Sequence, residues 1–241
     1  MTTSPPPRAT LFELPLDLLD LQGVGKLLSA WTADPASRRT VVTLNPEFVV
    51  QCDTDAQFKE DIQRADLVTA DGVGITWAAK RMGIQVPGRA PGVDIGNAVM
   101  QSRGSDLRVF FLGAKPGVAA RAAEACAAAY GVQIAGVQDG YFKPEDAEAI
   151  AQRILEADTH LLLTGLGGGK QERFNQRFRP ARVSIGCGGY IDVLAGETAL
   201  APDWTRRIGV EWIWRIVTLG RWNRAQRLLE FVVKTLTVKR G

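Results

Sequence analysis

Six short apolar runs alternate with segments of helical periodicity along most of this 241-residue chain. The runs are residues 40–44, 66–70, 107–112, 132–137, 160–164 and 182–185. The helical patterns cover residues 16–31, 54–64, 74–82, 93–102, 116–130, 144–156 and 170–178. Strands separated by helices of about ten residues or more are joined by crossovers rather than hairpins. The pattern therefore implies an α/β fold: a Rossmann-like, mostly parallel sheet with helices on both faces. Runs such as Val109-Phe110-Phe111-Leu112 carry almost nothing polar, as strands buried on both faces do. Right-handed crossovers then place Asn45, Asp71, Gly113, Gly165 and Gly186 along one edge of the sheet. Open α/β sheets bind their ligands at that edge, beyond the carboxyl ends of the strands.

Composition narrows the chemistry. Cys52, Cys126 and Cys187 are scattered and form no CxxC pair, which argues against a disulfide framework or zinc site and suits a reducing cytoplasm. His160 is the only histidine, so a histidine-dependent triad is set aside. No apolar run reaches the ~18 residues needed to span a bilayer, and the N-terminus lacks the apolar core of a secretory signal. Residues 1–10, with Pro5-Pro6-Pro7, are expected as a disordered tail, residues 11–202 as the α/β domain, and residues 203–241 as a helical appendage.

That appendage is charged differently from the body. From Asp203 onward the chain carries +6, while the first 202 residues carry −3. Four of the six tryptophans lie there, and Ala225, Leu228, Leu229, Val232 and Leu236 recur at helical spacing. A basic, tryptophan-bearing amphipathic segment suits a membrane interface. An ordinary surface helix packed on the body fits the same pattern.

Several motifs sit where strands pass into helices. Gly165-Leu166-Gly167-Gly168-Gly169-Lys170-Gln171-Glu172 could bring backbone N–H groups to a phosphate, or could be a tight turn. It matches neither the P-loop nor the dinucleotide fingerprint, so ATPase chemistry and a nicotinamide oxidoreductase are not supported. Gly113-Ala114-Lys115-Pro116-Gly117 is a second such turn. Asp53-Thr54-Asp55 has the form of a metal-holding DxD, but it precedes a helical pattern, where Asp is a natural N-cap. Asp71-Gly72 taken alone reads first as a turn, with a catalytic carboxylate at a strand end as the second reading. Arg89 lies in a loop where it could pair with phosphate, and Asp94 is expected to cap the next helix.

Taken in order, these motifs resemble the WecG/TagA/CpsF glycosyltransferases, family 26. The resemblance runs from about residue 40 to residue 229. It is carried by Thr43-x-Asn45-x-Glu47, Ala70-Asp71-Gly72-x-Gly74, Arg89-x-x-Gly92-x-Asp94 and Gly140-Tyr141-Phe142. Further parts are the Gly165–Glu172 loop, Gly186-x-Gly188-Gly189 with Ile191-Asp192, Ala201-Pro202-x-Trp204 and Gly209-x-Glu211-Trp212-x-x-Arg215.

The resemblance implies an inverting, metal-independent transferase with no cofactor. Its donor would be a UDP-sugar, commonly UDP-N-acetylmannosamine or its uronate. Its acceptor would be polyprenyl-diphosphate-linked N-acetylglucosamine at the inner face of the cell membrane, in cell-surface polysaccharide or teichoic-acid-type synthesis. The proposed base falls on Asp71, beside Thr43. Asn45, Arg89, Gln171, Gly113, Gly167 and Asp192 fall on substrate-binding positions, and Arg215, Arg221 and Arg224 on cations that meet the acceptor diphosphate at the membrane. No nucleic acid is implied, and a homo-oligomer is compatible. A non-catalytic UDP-sugar-binding subunit is the alternative. Four departures stand out: Gly169 replaces the family's proline and is expected to loosen its loop, Leu200 replaces an arginine, Leu219-Gly220 replaces Glu-Pro, and Ala225 replaces a tyrosine.

Overall fold

A computed structural model describes residues 5–199 and 222–238. Its centre is a six-stranded parallel sheet. The chain opens with a hairpin, β1 (Arg8–Leu11) and β2 (Leu14–Asp17), followed by α1 (Leu21–Ala33). The sheet strands are β3 (Arg39–Leu44), β4 (Leu67–Ala70), β5 (Arg108–Gly113), β6 (Gln133–Gln138), β7 (Leu161–Gly165) and β8 (Val183–Gly186), in spatial order β4-β3-β8-β7-β5-β6. The connecting helices are α2 (Pro46–Gln51), α3 (Ala56–Gln63), α4 (Val73–Arg81), α5 (Gly92–Arg103), α6 (Val118–Tyr130), α7 (Ala147–Glu156) and α8 (Lys170–Phe178). A short α9 (Tyr190–Leu194) follows β8, and α10 (Trp222–Thr237) is the last helix described.

Strand alternation distributes the core. Val109 and Phe111 of β5 turn to one face, where they meet α1, α5, α6 and α9. Phe110 and Leu112 turn to the other and meet α7 and α8. Over β3 and β4 that second face is covered by the hairpin with α2, α3 and α4. Phe231 of α10 is fully buried in the same cluster, edge-on to Phe12.

Sequence and structure part at the ends. The last three residues of the expected tail, 8–10, belong to the strand Arg8–Leu11, and Arg8 clasps the buried Asp17 through two hydrogen bonds of 2.8 Å. The hairpin turn uses Phe12 (φ 51°) and Glu13 (φ 63°), so the usual Asn-Gly signal is missing. The helix expected from residue 16 starts at Leu21, because Asp20 caps it by accepting from the Gly23 N–H at 2.8 Å. On α10 the apolar row is shifted: Phe231 and Thr235 pack inward, whereas Leu229 and Leu236 of the expected stripe face solvent with Val233. Among the described residues no helix is long and apolar enough to cross a membrane.

Candidate active site

The carboxyl ends of all six strands lie on one edge. At its β4–β3 side, Asp71 continues β4, its N–H donating to the Leu44 carbonyl at 2.8 Å. Gly72 (φ 91°) turns the chain into α4, and its conformation excludes most side chains. Thr43 pairs with Thr69 across the β3–β4 register, and its Oγ1 donates to the Gly186 carbonyl at 3.5 Å. Asn45 caps α2 by accepting from the Phe48 N–H at 3.1 Å. The loop carrying Arg89 is pinned beside Asp71, since the Ala90 N–H donates to Ala70 and its carbonyl accepts from Thr69.

Two helices begin here without a side-chain cap. The N-cap of α4 is Gly72 and that of α5 is Pro91, and neither residue caps its helix through a side chain. The α5 terminus stands directly on Thr43: a β-carbon on Gly92 would lie 3.4 Å from the threonine methyl. Asp94 is in the first turn of α5 rather than at the expected cap, where its charge complements the helix dipole.

Beyond β3 the edge is built of glycine. The crossover after β5 runs outward to β6, while that after β7 runs inward to β8, which makes the β5–β7 boundary a topological switch point. A β-carbon on Gly113 (φ 140°) would lie 2.4 Å from the Gly165 carbonyl oxygen, and one on Gly165 would lie 2.7 Å from that of Gly188. Gly167 is exposed with open space around it. Asp192, half-exposed in the first turn of α9, lies just past this turn. Tyr141, 72 % exposed, follows β6 on the same side and was not singled out from the sequence. Its signal was the Gly140-Tyr141-Phe142 motif, read only as part of the resemblance.

Gln171 and Gly169 behave differently from expectation. Gln171 is 2 % exposed, with its amide committed to Glu172 and to the Gly188 N–H. It braces the turn after β8 from behind. Gly169 is held, not loose: its N–H donates to Glu172 at 2.8 Å, and its φ of 88° is closed to proline. Asp55 caps α3 at 2.9 Å, as its position in the sequence suggested, and Asp53 pairs with Lys234. Among the described residues no group of three potential metal ligands occurs. His160 lies before β7, receiving the Arg108 N–H at 3.3 Å, a structural place. Arg215 and Arg221, with Leu200 and Leu219-Gly220, lie outside the described residues. Arg224 falls in the first turn of α10, and Ala225 is half-buried there.

A carboxylate at a strand end and a glycine-lined switch point thus share the edge of the sheet where open α/β folds take their ligands. The glycosyl transferase WecG/TagA/CpsF family model matches residues 9–241. The chain belongs to that family. This WecG/TagA/CpsF protein is therefore a glycosyltransferase of cell-surface polysaccharide synthesis, moving a sugar from a donor to an acceptor.

Proposed function

We propose that this transferase takes its sugar from a UDP-sugar and passes it, with inversion and without a metal, to a polyprenyl-diphosphate-linked N-acetylglucosamine. N-acetylmannosamine or its uronate is the sugar the family resemblance favours. The observation that carries this reading is the division of one sheet edge into a carboxylate end and a glycine end. Asp71 and Gly113 stand four strand positions apart, about 19 Å at the usual spacing. They therefore serve opposite ends of an elongated donor. Tyr141 offers a stacking face to the nucleobase, and Asp192 an acceptor for the ribose hydroxyls.

In the transfer, the acceptor hydroxyl oxygen attacks the anomeric carbon from the side opposite the diphosphate. The bond from that carbon to the β-phosphate oxygen breaks, and its electron pair leaves with UDP. Asp71 takes the hydroxyl proton. Arg89 and the first N–H groups of α4 and α5 stabilise the departing charge, the role a cation would otherwise fill. Asp53 and Asp55 are engaged with Lys234 and the α3 terminus, which supports reading them as structural.

The membrane contact follows from α10. Its exposed Leu229, Val233 and Leu236 form one apolar row, and the segment from Asp203 onward carries +6, a combination suited to the inner face of an anionic bilayer. Arg215, Arg221 and Arg224 would meet the acceptor diphosphate there.

Asp71→Asn tests the base: it should bind UDP normally and transfer sugar at least ~10²-fold more slowly. Near-normal turnover would remove Asp71 from the mechanism.

A further inference from the structure

Behind the glycine turns lies a buried carboxyl group that the transfer chemistry does not use. Glu172, in the first turn of α8, is 2 % exposed. Its Oε2 accepts from the Gly169 N–H at 2.8 Å, and its Oε1 accepts from the Gln171 Nε2 at 2.7 Å. Gln171 passes the contact on, its Oε1 accepting from the Gly188 N–H at 3.2 Å. Gly186 leaves the room: a β-carbon there would stand 2.6 Å from Glu172 Oε1 and 2.7 Å from Gln171 Nε2. The carbonyl of the same Gly186 accepts from Thr43. One side chain thus touches the turn after β7 directly and the turn after β8 through a single amide.

We propose that Glu172 is a positioning residue, whose carboxylate sets the spacing of the two glycine turns that receive the donor diphosphate. This rests on the UDP-sugar reading above. An ionised carboxylate only accepts, so it satisfies two N–H donors at once. A neutral acid or amide has one donor end, which must face one of those N–H groups. Hydrogen bonds to a charged acceptor are also about twice as strong as neutral ones.

The clamp is sensitive to pH near neutrality. Burial pushes the Glu172 carboxyl up to about 7, and Asp61 of α3 adds to the rise. The Gln171 amide and the N–H groups of Gly169 and Glu172 pull the other way. Asp61 is itself faced by Arg173 at 3.6 Å, and the Cys187 thiol beyond β8 is held protonated by burial and by the charge of Glu172. Lys170, in the same turn of α8, is exposed.

The experiment compares UDP binding by the full chain and by Glu172→Gln, using calorimetry from about pH 5.5 to about pH 8.5. UDP's terminal phosphate titrates in this range too, so the ratio of the two affinities at each pH is the readout. The wild type should bind about tenfold more tightly at the alkaline end, with the ratio approaching one at the acidic end. A ratio near one at every pH overturns the proposal. Absence of UDP binding by both proteins at every pH overturns the donor reading, and the proposal with it. The wild type supplies a check that needs neither the variant nor UDP. The amide ¹⁵N resonances of Gly169 and Gly188 should titrate together with a midpoint near 7. Two different midpoints would overturn the clamp, because one carboxyl would then not hold both turns.

Discussion

At the β4–β3 side of the carboxyl edge, polar groups are carried by side chains; from β8 to β5 they are carried by the backbone. Asp71, Thr43, Asn45 and Arg89 stand on the first side, on or beside strands whose ends are fixed by ordinary ladder hydrogen bonds. On the second side Gly113 lies against Gly165, Gly165 against Gly188, and Gly186 against the Glu172 and Gln171 side chains, so closely that Gly113, Gly165 and Gly186 leave no room for a β-carbon. Proton transfer needs a titratable atom at one point. Cradling a diphosphate needs N–H groups close to many oxygen atoms, which side chains would obstruct. The two halves should therefore fail in different ways when altered.

The largest effect is expected at Asp71, where Asn should separate binding from turnover by ~10² or more. Loss of UDP binding instead would mean that the carboxylate side also holds the donor. Next comes Gly113→Ala, which puts a β-carbon 2.4 Å from a carbonyl oxygen at a φ of 140°. A loss of about 1–3 kcal/mol or more in urea unfolding is expected, together with weaker donor binding. An unchanged midpoint would show that the glycine side can spread, and would blur the contrast.

Glu172 links the halves to pH. Its folded-state value of about 7 lies above the ordinary 4.5, so the folded protein binds more protons between the two. Its contribution to stability is therefore intact below about 4.5 and is lost as pH rises through about 7. His160 acts in the opposite sense, because burial lowers its value from 6.5 and stability is lost as pH falls below that. The difference in melting temperature between wild type and Glu172→Gln isolates the glutamate: it should shift in favour of the variant as pH rises. Asn45→Ala removes the α2 cap and should cost about 1 kcal/mol, read by chemical denaturation. The smallest change in stability, within about 0.5 kcal/mol, is expected for Leu236→Asp on the exposed row of α10. That variant should nevertheless sediment less with anionic vesicles. Deleting residues 203–241 is a poorer test, since it also removes Phe231 from the core.

Each of the six strands lies within a residue or so of its expected place; five were legible because buried parallel strands read as apolar runs, while the edge strand β6 is largely exposed. The parallel order put Asp71, Asn45 and the glycine turns on one edge, and α8 was bounded to the residue. The hairpin was not legible: Phe12 and Glu13 hold a turn conformation that neither residue type announces. Two short helices, α2 and α9, were too brief to show a period. Within the site, the resemblance put Gln171 among the substrate contacts. Its burial depends on Gly186 opening a space from a strand that begins twelve residues after Gln171, and spacing along the chain does not reveal that. Glu172 carried a readable sign, a glutamate three residues after a helix-opening glycine, but nothing in the sequence showed how deeply it sits.

The sheet order has a consequence for how the enzyme is made. Within the sheet, β4 and β3 are joined to the trio β7-β5-β6 by β8, the last of the described strands in chain order. Until it slides between them, the carboxylate side and the glycine side belong to separate fragments of sheet. At a synthesis rate of ~5–20 residues per second, the interval from Ala70 to Gly186 is on the order of ten seconds. A nascent chain stalled before residue 183 would hold Asp71 and Gly113 without joining them, and so would carry the parts of a transferase with no activity to misdirect.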